Sequence, residues 1–96
     1  MLSLLFPVLA RAAERRLSEF NPQGFANTAW AFATVKCRDE KLFAALAIAA
    51  ERRLSEFNPQ EVANTAWAFA TLNYRDEKLF AALAIAAERR LSEFNP

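Results

Sequence analysis

Between residues 59 and 71, "PQEVANTAWAFAT", apolar positions recur at helical spacing: Val62, Ala66 and Phe69 form one row, and Ala63, Trp67 and Ala70 the row beside it. The stripe is wider than a single core contact requires. A second helical pattern follows. Phe80, Leu83, Ala84, Ala87, Leu91 and Phe94 line one side of it, while Ala81, Ala82, Ile85 and Ala86 keep much of the rest apolar. Helices that are apolar on two sides need neighbours on two sides, and alanine lets helix axes approach to about 8 Å. The boundaries are marked as well. Asn58 is a favoured N-cap, Pro59 suits the first helical position, and Glu61 can close a capping box. Asn73 is a left-handed terminator. Asp76 and Glu77 suit the start of the second helix, which runs to about Glu93, with Arg89 and Arg90 near its end and the next Asn-Pro stopping it. Such short connections predict antiparallel hairpins.

The pattern repeats. "ERRLSEF" stands at residues 14–20, 51–57 and 88–94, a constant shift of 37, and residues 42–59 recur unchanged at 79–96. Trp30 maps to Trp67, Phe6 to Phe43 to Phe80, and Pro22 to Pro59 to Pro96. A fixed period of this size marks a stacked array in which one hairpin cannot bury its own surface. The expected fold is all-α, an α-solenoid of about five helices forming a single domain over residues 1–96. Residues 1–21 are a partial first repeat, 22–58 and 59–95 are repeats, and 96 starts another. Asn95-Pro96 is the cap and first residue of a further helix, so a fragment of a longer array is expected.

The first full repeat is less regular. Gly24 stands where Glu61 stands later, at a cost of about 1 kcal/mol of helix stability. Lys36 and Cys37 replace Asn73 and Tyr74. Pro7 falls inside the partial repeat, whose helix is expected to begin there.

Composition narrows the function. Charged residues make up 24% of the chain and apolar residues 54%, which argues against disorder. Lys and Arg number 12 against 11 Asp and Glu, so the basic excess of a strong nucleic-acid binder is missing. With one cysteine and no histidine, an internal disulfide and a Cys/His zinc site are both excluded, and Cys37 has no base to activate it. No cofactor is expected. The opening "MLSLLFPVLAR" falls far short of the ~20 residues needed to span a bilayer. It lacks a basic leader, and Glu14 and Glu19 intrude on a presequence reading. A degenerate repeat helix fits it better than a targeting peptide. Asp39/Glu40 and Asp76/Glu77 resemble paired carboxylates but lie at helix starts without a partner, so the chain is read as no enzyme. Arg15/Arg16, Arg52/Arg53 and Arg89/Arg90 could touch phosphates, but each pair adjoins a glutamate near a helix end, which favours solvated clusters.

One row differs from the rest. Gln60, Asn64, Ala68 and Thr71 are short and uncharged, and Gln23, Asn27, Ala31 and Thr34 repeat the row one period earlier. Side by side, such rows would line a wall able to read a flexible linear ligand. The structural alternative is that Asn27 and Asn64 bond to each other or to backbone between repeats. Trp30 and Trp67 invite base stacking, but their place inside the apolar stripe points to structural anchoring. On that expectation, Trp67→Ala costs roughly 3–5 kcal/mol.

The strings "NPQ", "ANTAWAFAT" and "LFAALAIAAERRLSEFNP" resemble octotricopeptide and heptatricopeptide repeats, found in organelle proteins that often carry a RAP domain. The resemblance spans the chain from about Leu5, and the period of 37 agrees with the heptatricopeptide type. It implies an α-solenoid that binds single-stranded RNA in mitochondria or chloroplasts and acts in transcript maturation, stability or translation. Base contacts from the first helix of each repeat would fall on Gln23, Asn27, Gln60 and Asn64, with Thr34 and Thr71 completing the candidate RNA-binding set. The rival reading is a protein-interaction scaffold. Two first helices contribute only about 2–6 kcal/mol at ~1–3 kcal/mol per stacked base, so binding by this chain alone should be weak. An uncovered apolar hairpin face would also allow self-association.

Overall fold

The computed structural model describes the backbone of residues 2–94 and the side chains of residues 5–89. Arg90, Leu91 and Phe94 lie outside the described side chains, and Asn95-Pro96 outside the described backbone. The chain is all-helical: α1 (Leu2–Arg15), α2 (Pro22–Thr34), α3 (Glu40–Arg53), α4 (Pro59–Thr71) and α5 (Glu77–Phe94), with 3-10 turns at Leu17–Glu19 and Leu54–Glu56. No strand occurs among the described residues.

The caps follow from the residues that form them. Asn58 accepts from the Glu61 N–H at 2.8 Å, and the Glu61 carboxylate accepts from the Asn58 N–H at 2.8 Å, closing the capping box. Asn21 caps α2 alone, accepting from the Gly24 N–H at 2.7 Å. Asp39 and Asp76 accept from the N–H groups of Leu42 and Leu79, each at 2.9 Å, and so start the second helix of each hairpin. Asn73 is left-handed with φ 56°, and Lys36 takes the same conformation with φ 57°. The Tyr74 N–H then bonds the Phe69 carbonyl at 2.9 Å, and the Cys37 N–H bonds the Phe32 carbonyl at 2.8 Å, in the Schellman manner.

Pro7 does not start its helix. α1 begins at Leu2 and runs through the proline, which forgoes one backbone bond within the early turns. Phe6 helps hold that end down by packing edge-on against Phe32 at 5.8 Å.

The two first helices, α2 and α4, lie against each other, while α3 packs against α1 on one side and α5 on the other. Between these rows sits a core of Phe25, Leu42, Phe43, Leu46, Phe57, Phe69 and Leu79, each fully buried. Phe43 meets Phe69 at 5.1 Å, and Tyr74 closes the cluster at 5.6 Å from Phe69 and 6.0 Å from Phe43. The capping difference between α2 and α4 sets an expected result. Gly24→Glu removes a helical glycine and supplies the missing half of the box, so stability should rise by about 1 kcal/mol. An added Cβ stands 3.0 Å from the Asn21 carbonyl oxygen of the side chain. The Asn58–Glu61 cap shows an arrangement that accommodates a side chain there. A thermal melt checks it, through an upward shift of about 4–8 °C.

Candidate nucleic-acid interface

The candidate row lies along the outward side of α2 and α4. Gln23, Asn27 and Thr34 are exposed on α2; Gln60 and Thr71 are exposed on α4, and Asn64 is half-buried. The row is not continuous. Ala31 is exposed, whereas its counterpart Ala68 is fully buried, so the row is interrupted at the alanine in α4. Five of the six candidate residues thus meet solvent, and the sixth lies half within the helix contact.

The amides and hydroxyls are held locally. The Gln60 side chain donates to the Asn64 carbonyl oxygen at 3.0 Å, one turn along the same helix. The Thr34 hydroxyl donates to the Trp30 carbonyl at 2.9 Å. Among the described residues no bond joins Asn27 to Asn64, so the two asparagines do not staple the repeats together. Thr65, in contrast, is fully buried with its hydroxyl unpartnered, while Thr28 at the equivalent place donates to the Gly24 carbonyl at 2.8 Å.

The tryptophans do not sit in the core where the apolar stripe placed them. Trp30 and Trp67 are each 45% exposed, and their rings stack on one another at 6.1 Å between centroids and 30° between planes. The cause is angular. At 3.6 residues per turn Trp67 lies about 160° around the helix from Phe69, so the residue that fills the core and the tryptophan face nearly opposite ways. The stripe counted Trp67 with the core; its angle from Phe69 and Val62 separates edge from core. The outcome is an exposed aromatic step across the two helices, with Asn27 and Asn64 one turn before Trp30 and Trp67 on the same helices.

Neither α2 nor α4 carries a Lys or Arg. Cations gather elsewhere: Arg16 pairs with Glu19 at 3.5 Å, Arg53 with Glu56 at 3.2 Å, and Arg11 with Asp39. Asp39 and Asp76 serve as helix caps. Arg38 stacks over the Tyr74 ring at 5.3 Å. Burial, and then the nearby Asp39 carboxylate, push the Cys37 thiol above its ordinary pKa. Cys37 should therefore alkylate more slowly at pH 8 than free cysteine, because less of it is thiolate. A timed iodoacetamide reaction checks this. Among the described residues no group of His, Cys, Asp and Glu could hold a metal ion, and no helix is long and apolar enough to cross a membrane.

The chain has no match among curated proteins and none among solved structures. One family profile, described as "Protein of unknown function (DUF1601)", matches residues 8–28 and 39–65. These segments cover the end of the partial repeat, the start of α2, and the stretch from the cap of α3 into α4. Together they make up half of the chain, which therefore belongs to the DUF1601 family, a family of unknown function.

Proposed function

We propose that this chain is an RNA-binding module: a stretch of an α-solenoid, on a 37-residue period, that takes single-stranded RNA along the outward edge of α2 and α4. The observation that carries the reading is the exposed, mutually stacked pair Trp30–Trp67. Every nucleobase has a π-face, and stacking on aromatic side chains contributes about 1–3 kcal/mol per base without a sequence requirement. Asn27, Gln60 and Asn64 supply amide donors and acceptors beside it, suited to base edges. The resemblance to octotricopeptide and heptatricopeptide repeats supports the same ligand and extends the proposal to transcript handling in mitochondria or chloroplasts. The role is one of binding, without catalysis.

A second reading has its own support. The absence of cations from α2 and α4 leaves the phosphates without partners on the helices themselves, and a neutral aromatic-amide edge also fits a protein segment. Filter binding with single-stranded RNA at several salt concentrations separates the two. An RNA module binds, and loses affinity as salt rises with a slope near −0.7 per phosphate contacted. A protein scaffold retains no RNA at any salt concentration.

A further inference from the structure

The second helices carry a cleft that the fold makes twice. The 3-10 turn that ends one repeat lies against the second helix of the next: Leu17–Glu19 against α3, and Leu54–Glu56 against α5. Each contact leaves an open cleft. The first, of about 370 Å³, is lined by Leu17, Ala45, Ile48, Ala49 and Arg52. The second, of about 460 Å³, is lined by Leu54, Ala82, Ile85, Ala86 and Arg89, the same residue types 37 positions on. Alanines one turn apart, Ala45 with Ala49 and Ala82 with Ala86, give the helix no bulk to fill the space. Leu17 and Leu54 are buried there, whereas Ile48 and Ile85 remain 55% and 53% exposed.

The neighbouring charges divide between two tasks. Arg53 is used internally: its guanidinium donates to the Leu17 carbonyl at 3.5 Å, tying the turn to α3, and pairs with Glu56 at 3.2 Å. Glu51 lines the second cleft, but Lys78 pairs with it at 3.7 Å. Arg52 borders both clefts, is exposed, and has no carboxylate partner among the described residues. We propose that the two clefts together dock an acidic amphipathic helix of a partner protein, with a bulky apolar side chain in each cleft and a carboxylate against Arg52. The uncompensated guanidinium calls for an anion, and the alanine and isoleucine walls call for an aliphatic or aromatic side chain. A phosphate would meet the first demand and leave the second unmet. The spacing selects a helix. Packed neighbouring helices lie about 8–10 Å apart, and residues seven apart on a helix are separated by about 10.5 Å. An extended strand repeats its face at about 6.7 or 13 Å, on either side of that spacing. The clefts lie on α3 and α5, away from the tryptophans of α2 and α4, and the proposal does not depend on the RNA reading.

The probe is a synthetic helical peptide with leucines seven residues apart among glutamates, fluorescently labelled and titrated with the full chain while anisotropy is read. The expected result is saturable binding that is lost when lysines replace the glutamates, and lost when alanines replace the leucines. Arg52→Glu should weaken binding at least about tenfold, while Arg52→Lys should keep most of it. Ile48→Ala with Ile85→Ala should also weaken binding about tenfold, because less apolar area is covered on docking. Both isoleucines are exposed, so this variant should melt like the parent. Lys41→Glu makes the same charge change at an exposed position outside both clefts and should leave binding unchanged. No saturable binding, equal binding of the lysine peptide, or undiminished binding by Arg52→Glu would overturn the proposal. Two other results would do so in the absence of peptide binding. RNA binding lost on Arg52→Glu would give the clefts to phosphates, and a dimer in sedimentation that Arg52→Glu dissociates would give them to a second copy of the chain.

Discussion

Phe69→Ala should cost this chain about 3–5 kcal/mol in chemical denaturation, the expected loss for a buried aromatic in a close-packed core. Phe69 is fully buried and touches both Phe43 and Tyr74, so its removal strips one ring of its nearest partner and leaves a hole between α3 and α4. Trp67→Ala, two residues earlier and larger in volume removed, should cost only about 1–2 kcal/mol, mostly the stack on Trp30 and part of the ring's covered area. The contrast is the sharper test. A loss on Trp67→Ala equal to that on Phe69→Ala would place the tryptophan inside the core, where the stripe alone had put it. The measurement is the urea midpoint of each variant at unchanged slope.

Replacing Trp30 and Trp67 together by Ala should abolish detectable RNA binding. Two stacks at ~1–3 kcal/mol each amount to about 2–6 kcal/mol, and a dissociation constant of about 1 mM corresponds to 4.1 kcal/mol. The aromatic step therefore supplies most of whatever affinity this chain has. Asn27→Ala with Asn64→Ala should weaken binding less and leave the melting temperature in place, because Asn27 is exposed and, among the described residues, the Asn64 side chain bonds to Gln60 along its own helix. A fall in melting temperature for that pair, with RNA binding intact, would make the asparagines structural. Filter binding and thermal melts on the same four proteins, the parent and three variants made of Trp30/Trp67, Asn27/Asn64 and all four changes, read both quantities.

The helices were legible because their signals are local. Asn58, Pro59 and Glu61 specify a start through hydrogen bonds within one turn, and Asn73 specifies an end through its tolerance of positive φ. Lys36 shows the limit of such signals. It adopts the same left-handed geometry without a favourable side chain, held by the Cys37 N–H bond to Phe32. The helix through Pro7 shows another, since packing of Phe6 on Phe32 is not visible from spacing. Of the polar row, Gln23, Asn27, Thr34, Gln60 and Thr71 are exposed, as polar positions opposite an apolar stripe are expected to be. The sealing of Ala68 and the half-burial of Asn64 depend on where α2 lies against α4, a tertiary fact that one helix's own pattern does not contain. The tryptophans were misplaced for a simpler reason: the two adjacent rows were taken as one core-facing stripe, whereas Val62 and Phe69 are buried and Trp67 stands at the exposed edge.

Tryptophan fluorescence tests the proposal most directly, since Trp30 and Trp67 are the 2 tryptophans of the chain and all indole emission reports on the stacked step. Titration with a short single-stranded RNA should quench that emission to a plateau, with the same midpoint that filter binding gives. RNA retained on the filter with the emission unchanged, or no retention at all, would contradict a nucleobase seated on these two rings.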